Sequence, residues 1–135
     1  MRKDGAVTIE TRKPFGPEAG IFSSTGAMSE SGTFVNSSLL LEGLDAPGAV
    51  IVHVTQRFDG ALGTFTLRAT ITEAATADPH VLVDDGTWQI IAGTGAYESL
   101  WGRGRLSGIA DGDRDLISRT YSGTCLLYTS DAADE

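Results

Sequence analysis

Two histidines are the first side chains in this sequence that could carry chemistry, because histidine changes its protonation near neutral pH. His53 stands in the run AVIVHVTQRF, where apolar and polar residues alternate. Such alternation is typical of a half-buried strand and places His53 on the polar face. A general base and a solvated strand histidine are both open there, and the sequence favours the solvated histidine. His80 lies on another segment. Because structural zinc sites usually draw on four close ligands, we predict no metal site and no cofactor.

Three aspartates alternate in the stretch ADGDRD, at Asp111, Asp113 and Asp115. Their spacing suggests calcium, but a calcium loop also needs a distant glutamate and further oxygen ligands. The sequence therefore predicts a solvated turn.

The stretch GTGAYESLWGRG, Gly93 to Gly104, holds four glycines and raises the question of a phosphate-binding loop. No Lys-Ser or Lys-Thr follows its last glycine, and no long helix follows it either, so neither nucleotide motif is complete. We predict a packing device instead. A single helical turn would place Tyr97 beside Leu100 and Trp101, at offsets of three and four.

Period-two alternation recurs along the chain, and no segment of a dozen residues shows a helical stripe. Turn-forming residues such as PFGP, SESG and TADP separate the alternating runs. Many short strands at this spacing predict an all-β barrel or sandwich. The predicted strands are Ala6 to Arg12, Gly20 to Ala27, Thr33 to Glu42, Ala49 to Phe58, Ala61 to Thr72, Thr87 to Ala92, Gly102 to Ile109 and Leu116 to Thr124.

The dipeptide Asp59-Gly60 between two alternating runs predicts a hairpin with a two-residue turn. That turn would place Phe58 opposite Ala61. Counting outwards pairs Val54 with Phe65 and Val52 with Leu67, with the apolar face turned inward.

The sequence does not determine which face of the last predicted strand points into the barrel. Arg119 and Tyr121 share one face of it. They line the interior, where an arginine needs a partner, or they face water.

Length and charge limit the class of protein. The chain has 135 residues and a formal net charge of −8, which fits one acidic globular domain, residues 1–124. We see no cluster of Lys and Arg, so we predict no nucleic-acid partner and no membrane partner. No apolar run is long enough for a membrane helix, and the start MRKDGAVTIETRK is unlike a secretory signal. We therefore expect a cytoplasmic location.

The final segment CLLYTSDAADE, residues 125–135, differs in composition from the Gly- and Thr-rich chain before it. It resembles the translation of a sequencing adapter, a known scar in genes assembled from short reads, such as metagenomic ones. We expect these residues to be an artefact tail. CLLY is nevertheless compatible with a strand and could extend the last one.

The segment GTWQIIAGTGAYESLWGRGRLSG resembles a pattern of the allene oxide cyclase and dirigent barrel superfamily. In that pattern a Trp is followed by Gly-Thr-Gly with an aromatic residue and then by Gly-x-Gly. The chain is most similar to small bacterial members of unknown function, of the DUF3224 type, over residues 20–124. The resemblance implies an eight-stranded antiparallel barrel of calycin-like appearance, often assembled as a homo-oligomer. The residues that match are Gly93, Thr94, Gly95, Tyr97 and Gly102; no position matches a catalytic residue of the plant cyclases, so catalytic residues stay unknown.

Two functions of different class follow, and whether the protein is an enzyme stays open. The first is binding of a small hydrophobic or aromatic molecule in the barrel. The alternative is a cyclase or isomerase that confines a reactive intermediate, and ionisable groups in the lumen with perturbed pKa values would favour it. A barrel with a filled core that acts through its surface is the third reading. We predict that Phe65, Trp88, Tyr97 and Trp101 border the cavity, with Tyr97 as its polar contact; in the competing interpretation these four side chains fill the core.

Overall fold

Eight antiparallel strands, each paired with the next and β8 paired with β1, close into a barrel in the computed structural model of the chain. The structure describes residues 2–43 and 48–128. All eight predicted strands and the all-β antiparallel barrel are confirmed. The strands are β1 (Arg2–Lys13), β2 (Gly20–Gly26), β3 (Glu30–Gly43), β4 (Ala49–Gly60), β5 (Gly63–Ala75), β6 (Val81–Gly93), β7 (Trp101–Asp111) and β8 (Leu116–Tyr128).

Alternate side chains of each strand point into the barrel and form one apolar core. Its centre is a group of phenylalanines from β2, β3, β4 and β5. The rings of Phe58 and Phe65 stack with centroids 4.7 Å apart, and Phe22 meets both edge-on. Such ring geometries stabilise beyond the area they bury.

The β4–β5 hairpin differs from the predicted register. Phe58 pairs with Phe65 rather than Ala61, a shift of four residues, and the turn lies at Ala61 and Leu62. Asp59 and Gly60 continue the strand because they pair with β3 on their other side. Because the shift is even, every side chain keeps its predicted face.

Glu30 supplies the reason for the later turn. Its carboxylate accepts the backbone N–H groups of Ala61 and Leu62, each at 3.3 Å. This side chain from the start of β3 therefore satisfies the donors of a turn that lacks the usual Asn-Gly or Asp-Gly pair.

The two ends of the barrel differ. A 3₁₀ turn (Gly95–Tyr97) between β6 and β7 covers one end, hereafter the closed end, where Tyr97, Leu100 and Met28 are buried. The other end, hereafter the open end, carries the β1–β2, β5–β6 and β7–β8 connections.

The glycines of the 3₁₀ segment act as the predicted packing device. Gly95 has φ +60°, and a Cβ at Gly93 would lie 1.9 Å from the Tyr97 carbonyl oxygen. Only a residue without a side chain allows this approach.

Several strands extend past their predicted boundaries, and the extensions of β6 and β8 matter most here. β6 begins at Val81 rather than Thr87, and β8 continues to Tyr128 with Cys125 and Leu127 buried. The strand extension proposed for CLLY is therefore present, and residues 129–135 of the expected tail lie outside the described residues. Within the described part of the chain, no helix is long and apolar enough to cross a membrane.

Candidate functional site

A cavity of about 460 Å³ lies at the open end of the barrel. Its wall is mostly apolar, and its floor carries charged and amide side chains. Its lining comprises Lys13, Phe15, Gly16, Pro17, Asn36, Leu39, Leu41, Val52, Val54, Glu73, Leu82, Ala110, Ile117 and Arg119.

A β-bulge in β3 turns two leucines toward this cavity. The register of β3 against β4 shifts between Asn36 and Ser38, so one residue is inserted and the alternation reverses. Beyond the bulge, Leu39 and Leu41 line the cavity while remaining 59% and 60% exposed. These exposed leucines form an apolar lip where the cavity meets solvent.

Three charged side chains meet at the cavity floor. Arg119 Nε donates to Asp84 Oδ2 at 2.8 Å, and Arg119 Nη2 lies 3.8 Å from Glu73 Oε2. Glu73 on β5 pairs directly with Asp84 on β6, and Arg119 reaches them from β8. The exposed side-chain fractions are 15% for Glu73, 0% for Asp84 and 7% for Arg119. Arg119 thus faces the interior, which settles the face that the sequence left open, and its partner is Asp84.

The surroundings of Glu73 raise the pKa of its carboxyl group. Asp84 Oδ1 is buried and receives no hydrogen bond from a charged or neutral donor among the described residues. Burial raises the pKa of Glu73 to about 7, helped by the hydrogen bond and charge of Asp84 and opposed by Arg119. A protonated Glu73 supplies the donor that Asp84 lacks, because two adjacent carboxylates cannot both stay ionised cheaply.

Lys13 adds a second buried cation beside the floor. Its Nζ donates to the carbonyls of Pro14 and Gly16, at 2.6 and 2.8 Å, and so holds the β1–β2 connection against the cavity. Burial, and then the charge of Arg119, lower the pKa of Lys13.

A hydrogen-bonded chain of neutral groups runs from the core to the cavity. The hydroxyl of Tyr121 donates to Gln56 Oε1 at 2.6 Å, and Gln56 Nε2 donates to Asn36 Oδ1 at 3.0 Å. Because the Gln56 oxygen accepts from Tyr121, the Gln56 NH₂ group must donate, and Asn36 must therefore accept through its own oxygen. Asn36 lines the cavity and is exposed to solvent.

The four side chains predicted to border a cavity lie outside the open-end cavity, and Trp88 is among the residues that line an outer groove of about 550 Å³. Phe65, Trp88 and Tyr97 are buried in the core, and the Tyr97 hydroxyl donates to Glu30 Oε2 at 2.6 Å. Trp101 points outward, 44% exposed, with the Arg103 guanidinium 5.5 Å from its ring centroid. None of the four lines the open-end cavity. Their role as ligand contacts stays a prediction, and three of them are placed as core-filling side chains.

Sequence reasoning missed Glu73, Asp84 and Asn36. Only Arg119 was indicated by the sequence, because an interior arginine requires a partner. Its partner Asp84 was not identified because β6 was predicted to begin at Thr87, after Asp84.

The histidines lie outside the cavity. His53 is on the outer face of β4, as predicted, with its Nε2 3.2 Å from Glu42 Oε1. His80 meets Asp113 at 3.0 Å, and ligand atoms of Asp78, His80 and Asp113 lie within 4.8 Å of one another on the surface. Hydrogen bonds within this group and to the neighbouring backbone account for its arrangement.

The fold gathers arginines that are separated in sequence. Arg68 of β5 and Arg103 and Arg105 of β7 line one outer groove of about 550 Å³. These arginines form no cluster in the sequence, but strands two apart bring their outward side chains to one surface.

Comparison of the chain with protein-family models, with curated proteins and with solved structures finds no match in any of the three.

Proposed function

We propose that the protein binds a small, mostly apolar molecule in the open-end cavity. The observation that carries this proposal is the cavity itself, which has an apolar lip and wall above a few converging polar groups. Its volume of about 460 Å³ falls in the usual range for ligand pockets, about 300–1,000 Å³. The centre of the barrel is filled by the phenylalanine group, so a ligand would bind at the open end and not in a central lumen.

The leucine lip provides a matched test. We expect Leu41→Asp to weaken binding of the apolar dye 1-anilinonaphthalene-8-sulfonate about tenfold or more, because a charge at the lip opposes apolar contact. Leu40→Asp is the control, since Leu40 lies on the other face of the same strand and is 65% exposed. Equal dye affinity in both variants, measured by fluorescence titration, would contradict the proposed site.

The alternative function is a cyclase or isomerase that acts in the same cavity. The observation in its favour is Glu73, which lines the cavity beside the buried Asp84 and whose pKa is raised to about 7. Titratable groups with perturbed pKa values cluster at functional sites. A purely structural cavity would not need them.

We also propose a relationship to the allene oxide cyclase and dirigent barrels, supported by the Gly93 to Gly104 pattern and by the eight-stranded barrel. Homo-oligomer formation, the absence of nucleic-acid and membrane partners and a cytoplasmic location stay predictions from the sequence. Size-exclusion chromatography with light scattering tests the first of these.

A further inference from the structure

The carboxyl group of Glu73 is placed to exchange a proton with a bound molecule. It lines the open-end cavity, whereas its partner Asp84 lies behind it with no exposed side-chain surface. Asp84 is held by Arg119 through the 2.8 Å contact at Oδ2, and its buried Oδ1 has no hydrogen-bond partner among the described residues. Glu73 pairs directly with Asp84 across the two strands, and the raised pKa of Glu73 agrees with an exchangeable proton at this place.

A hydrogen-bond donor on β3 also lines this cavity. The chain from Tyr121 through Gln56 fixes Asn36 Oδ1 as an acceptor, so the exposed Asn36 NH₂ group is the part left for a ligand. An amide donor beside leucine and valine side chains is suited to a ketone or similar carbonyl oxygen, which would replace the water at this group.

From this juxtaposition we propose that the protein isomerises an enolisable β,γ-unsaturated ketone, with Glu73 as the proton carrier and Asn36 as the donor to the ketone oxygen. The inference rests on the proposed binding of a small apolar molecule at the open end. The apolar walls would hold the carbon skeleton of the ketone.

The step balances without a cofactor. The Glu73 carboxylate removes a proton from the carbon between the carbonyl and the double bond, and the C–H electron pair forms a dienolate. Negative charge develops on the ketone oxygen, where the Asn36 N–H group stabilises it. Glu73 then returns the same proton to the γ carbon, the carbonyl re-forms, and the double bond ends in conjugation with it.

The charged groups around Glu73 set the pH dependence. They are Asp84 on β6, Arg119 on β8 and Lys13 on β1, while its β4 neighbour Val50 is uncharged. The ionised form of Glu73 is the base, so activity should rise through about pH 7 and then level off. Asp84 is a positioning residue, and Asp84→Asn should move the midpoint of the pH profile to lower pH by removing a neighbouring negative charge.

The experiment uses 3-cyclohexen-1-one and larger apolar β,γ-unsaturated ketones as probes. Isomerisation is followed by the ultraviolet absorbance of the conjugated product, and exchange of the ketone α-hydrogens in D₂O is followed by proton NMR. We expect Glu73→Gln to lower the rate about 100-fold or more, as for loss of a general base, and Asn36→Ala to lower it about tenfold. Glu42→Gln, which changes an exposed carboxyl outside the cavity, is the matched control.

The outcomes separate the two proposals. A bound ketone that isomerises and exchanges at the same rate in the wild type and in Glu73→Gln overturns the inference and leaves binding intact. If dye binding depends on Leu41 but no ketone binds, the inference is likewise overturned and the binding proposal stands. If neither dye nor ketone binds, both proposals fail. A Glu73 carboxyl that titrates near 4.5 by carbon-13 NMR also overturns the inference.

Discussion

Replacing Tyr97 with phenylalanine removes a single hydroxyl that joins the closed-end 3₁₀ turn to the start of β3. That hydroxyl donates to Glu30 Oε2 at 2.6 Å, while the same carboxylate accepts backbone N–H groups of Ser31, Ala61 and Leu62. One carboxylate thus holds the 3₁₀ turn and the β4–β5 turn together. The substitution leaves every other contact of the Tyr97 ring in place.

The expected loss of stability is about 1–2 kcal/mol at pH 7. A hydrogen bond to a charged group contributes about 1.5–3 kcal/mol, and Glu30 is only partly buried and keeps three backbone donors. The lower part of the range therefore applies.

The stability difference between the wild type and Tyr97→Phe should depend on pH. Burial tends to raise the pKa of Glu30, but the hydrogen bonds from Tyr97 and the three backbone groups outweigh burial and lower it below 4.5. The stability that these bonds supply is present above pH 4.5 and is lost as the pH falls through the folded-state pKa. The difference between the wild type and Tyr97→Phe should therefore be full at pH 7 and shrink below about pH 4.

Urea denaturation of the wild type, Tyr97→Phe, Glu30→Gln and the double variant measures the coupling directly. Dye binding at the open end should be the same in the wild type and Tyr97→Phe. If Tyr97→Phe instead leaves stability unchanged at pH 7 and weakens ligand binding, Tyr97 is the ligand contact that the sequence suggested, and the structural assignment of its hydroxyl is wrong.

Three further predictions can be checked by unfolding experiments. The pKa of Glu73 is raised from 4.5 to about 7, so its contribution to stability is full below pH 4.5 and is lost as the pH rises through 7. Glu73→Gln should remove a decline of about 1–2 kcal/mol, a value that allows for solvent screening of this partly exposed group, and equal slopes for the two proteins in urea titrations from pH 5 to 8 would count against it. Gly93→Ala should cost about 2 kcal/mol or more because its Cβ would lie 1.9 Å from a carbonyl oxygen, whereas Gly43→Ala, with nothing within 4 Å, should melt like the wild type. Trp88→Phe should lower the melting temperature by several degrees, since the indole N–H donates to the carbonyls of Arg105 and Ser122, and Trp101→Phe at the exposed site should change it little.

The strands were predictable because each contains a run of period-two alternation, although the bulge in β3 reverses that alternation after Asn36. The β4–β5 register was not predictable from the Asp59-Gly60 dipeptide, which indicates only a local preference for a turn. Asp59 and Gly60 pair with β3, a strand distant in sequence, and this pairing outweighs the local preference. The even shift explains why the apolar face was still assigned correctly.

The charged floor was beyond sequence reasoning for a related reason. The segment VLVDDG holds two aspartates and a glycine, which are depleted in strands, so β6 was started too late and Asp84 was left in a loop. The contact of Asp84 with Glu73 also depends on a register shift between Thr66 and Leu67. Arg119 alone could be identified in advance as a residue that needs a partner if buried.

The buried charges at the open end are costly for a barrel that needs only to fold, and that cost can be tested. Arg119→Met leaves Asp84 without its cation, and breaking a buried pair in this way typically costs about 3–5 kcal/mol. Replacing the whole group, as Glu73→Leu, Asp84→Val and Arg119→Met together, removes the unpaired charge as well, and such replacements are often neutral or stabilising by about 1–4 kcal/mol. We therefore expect the triple variant to unfold at a urea concentration equal to or above that of the wild type, while it loses the pH dependence assigned to Glu73. That result would mean that the fold does not require these charges, and selection for stability would not retain them. A triple variant as unstable as Arg119→Met would instead show that the charged group supports the barrel itself.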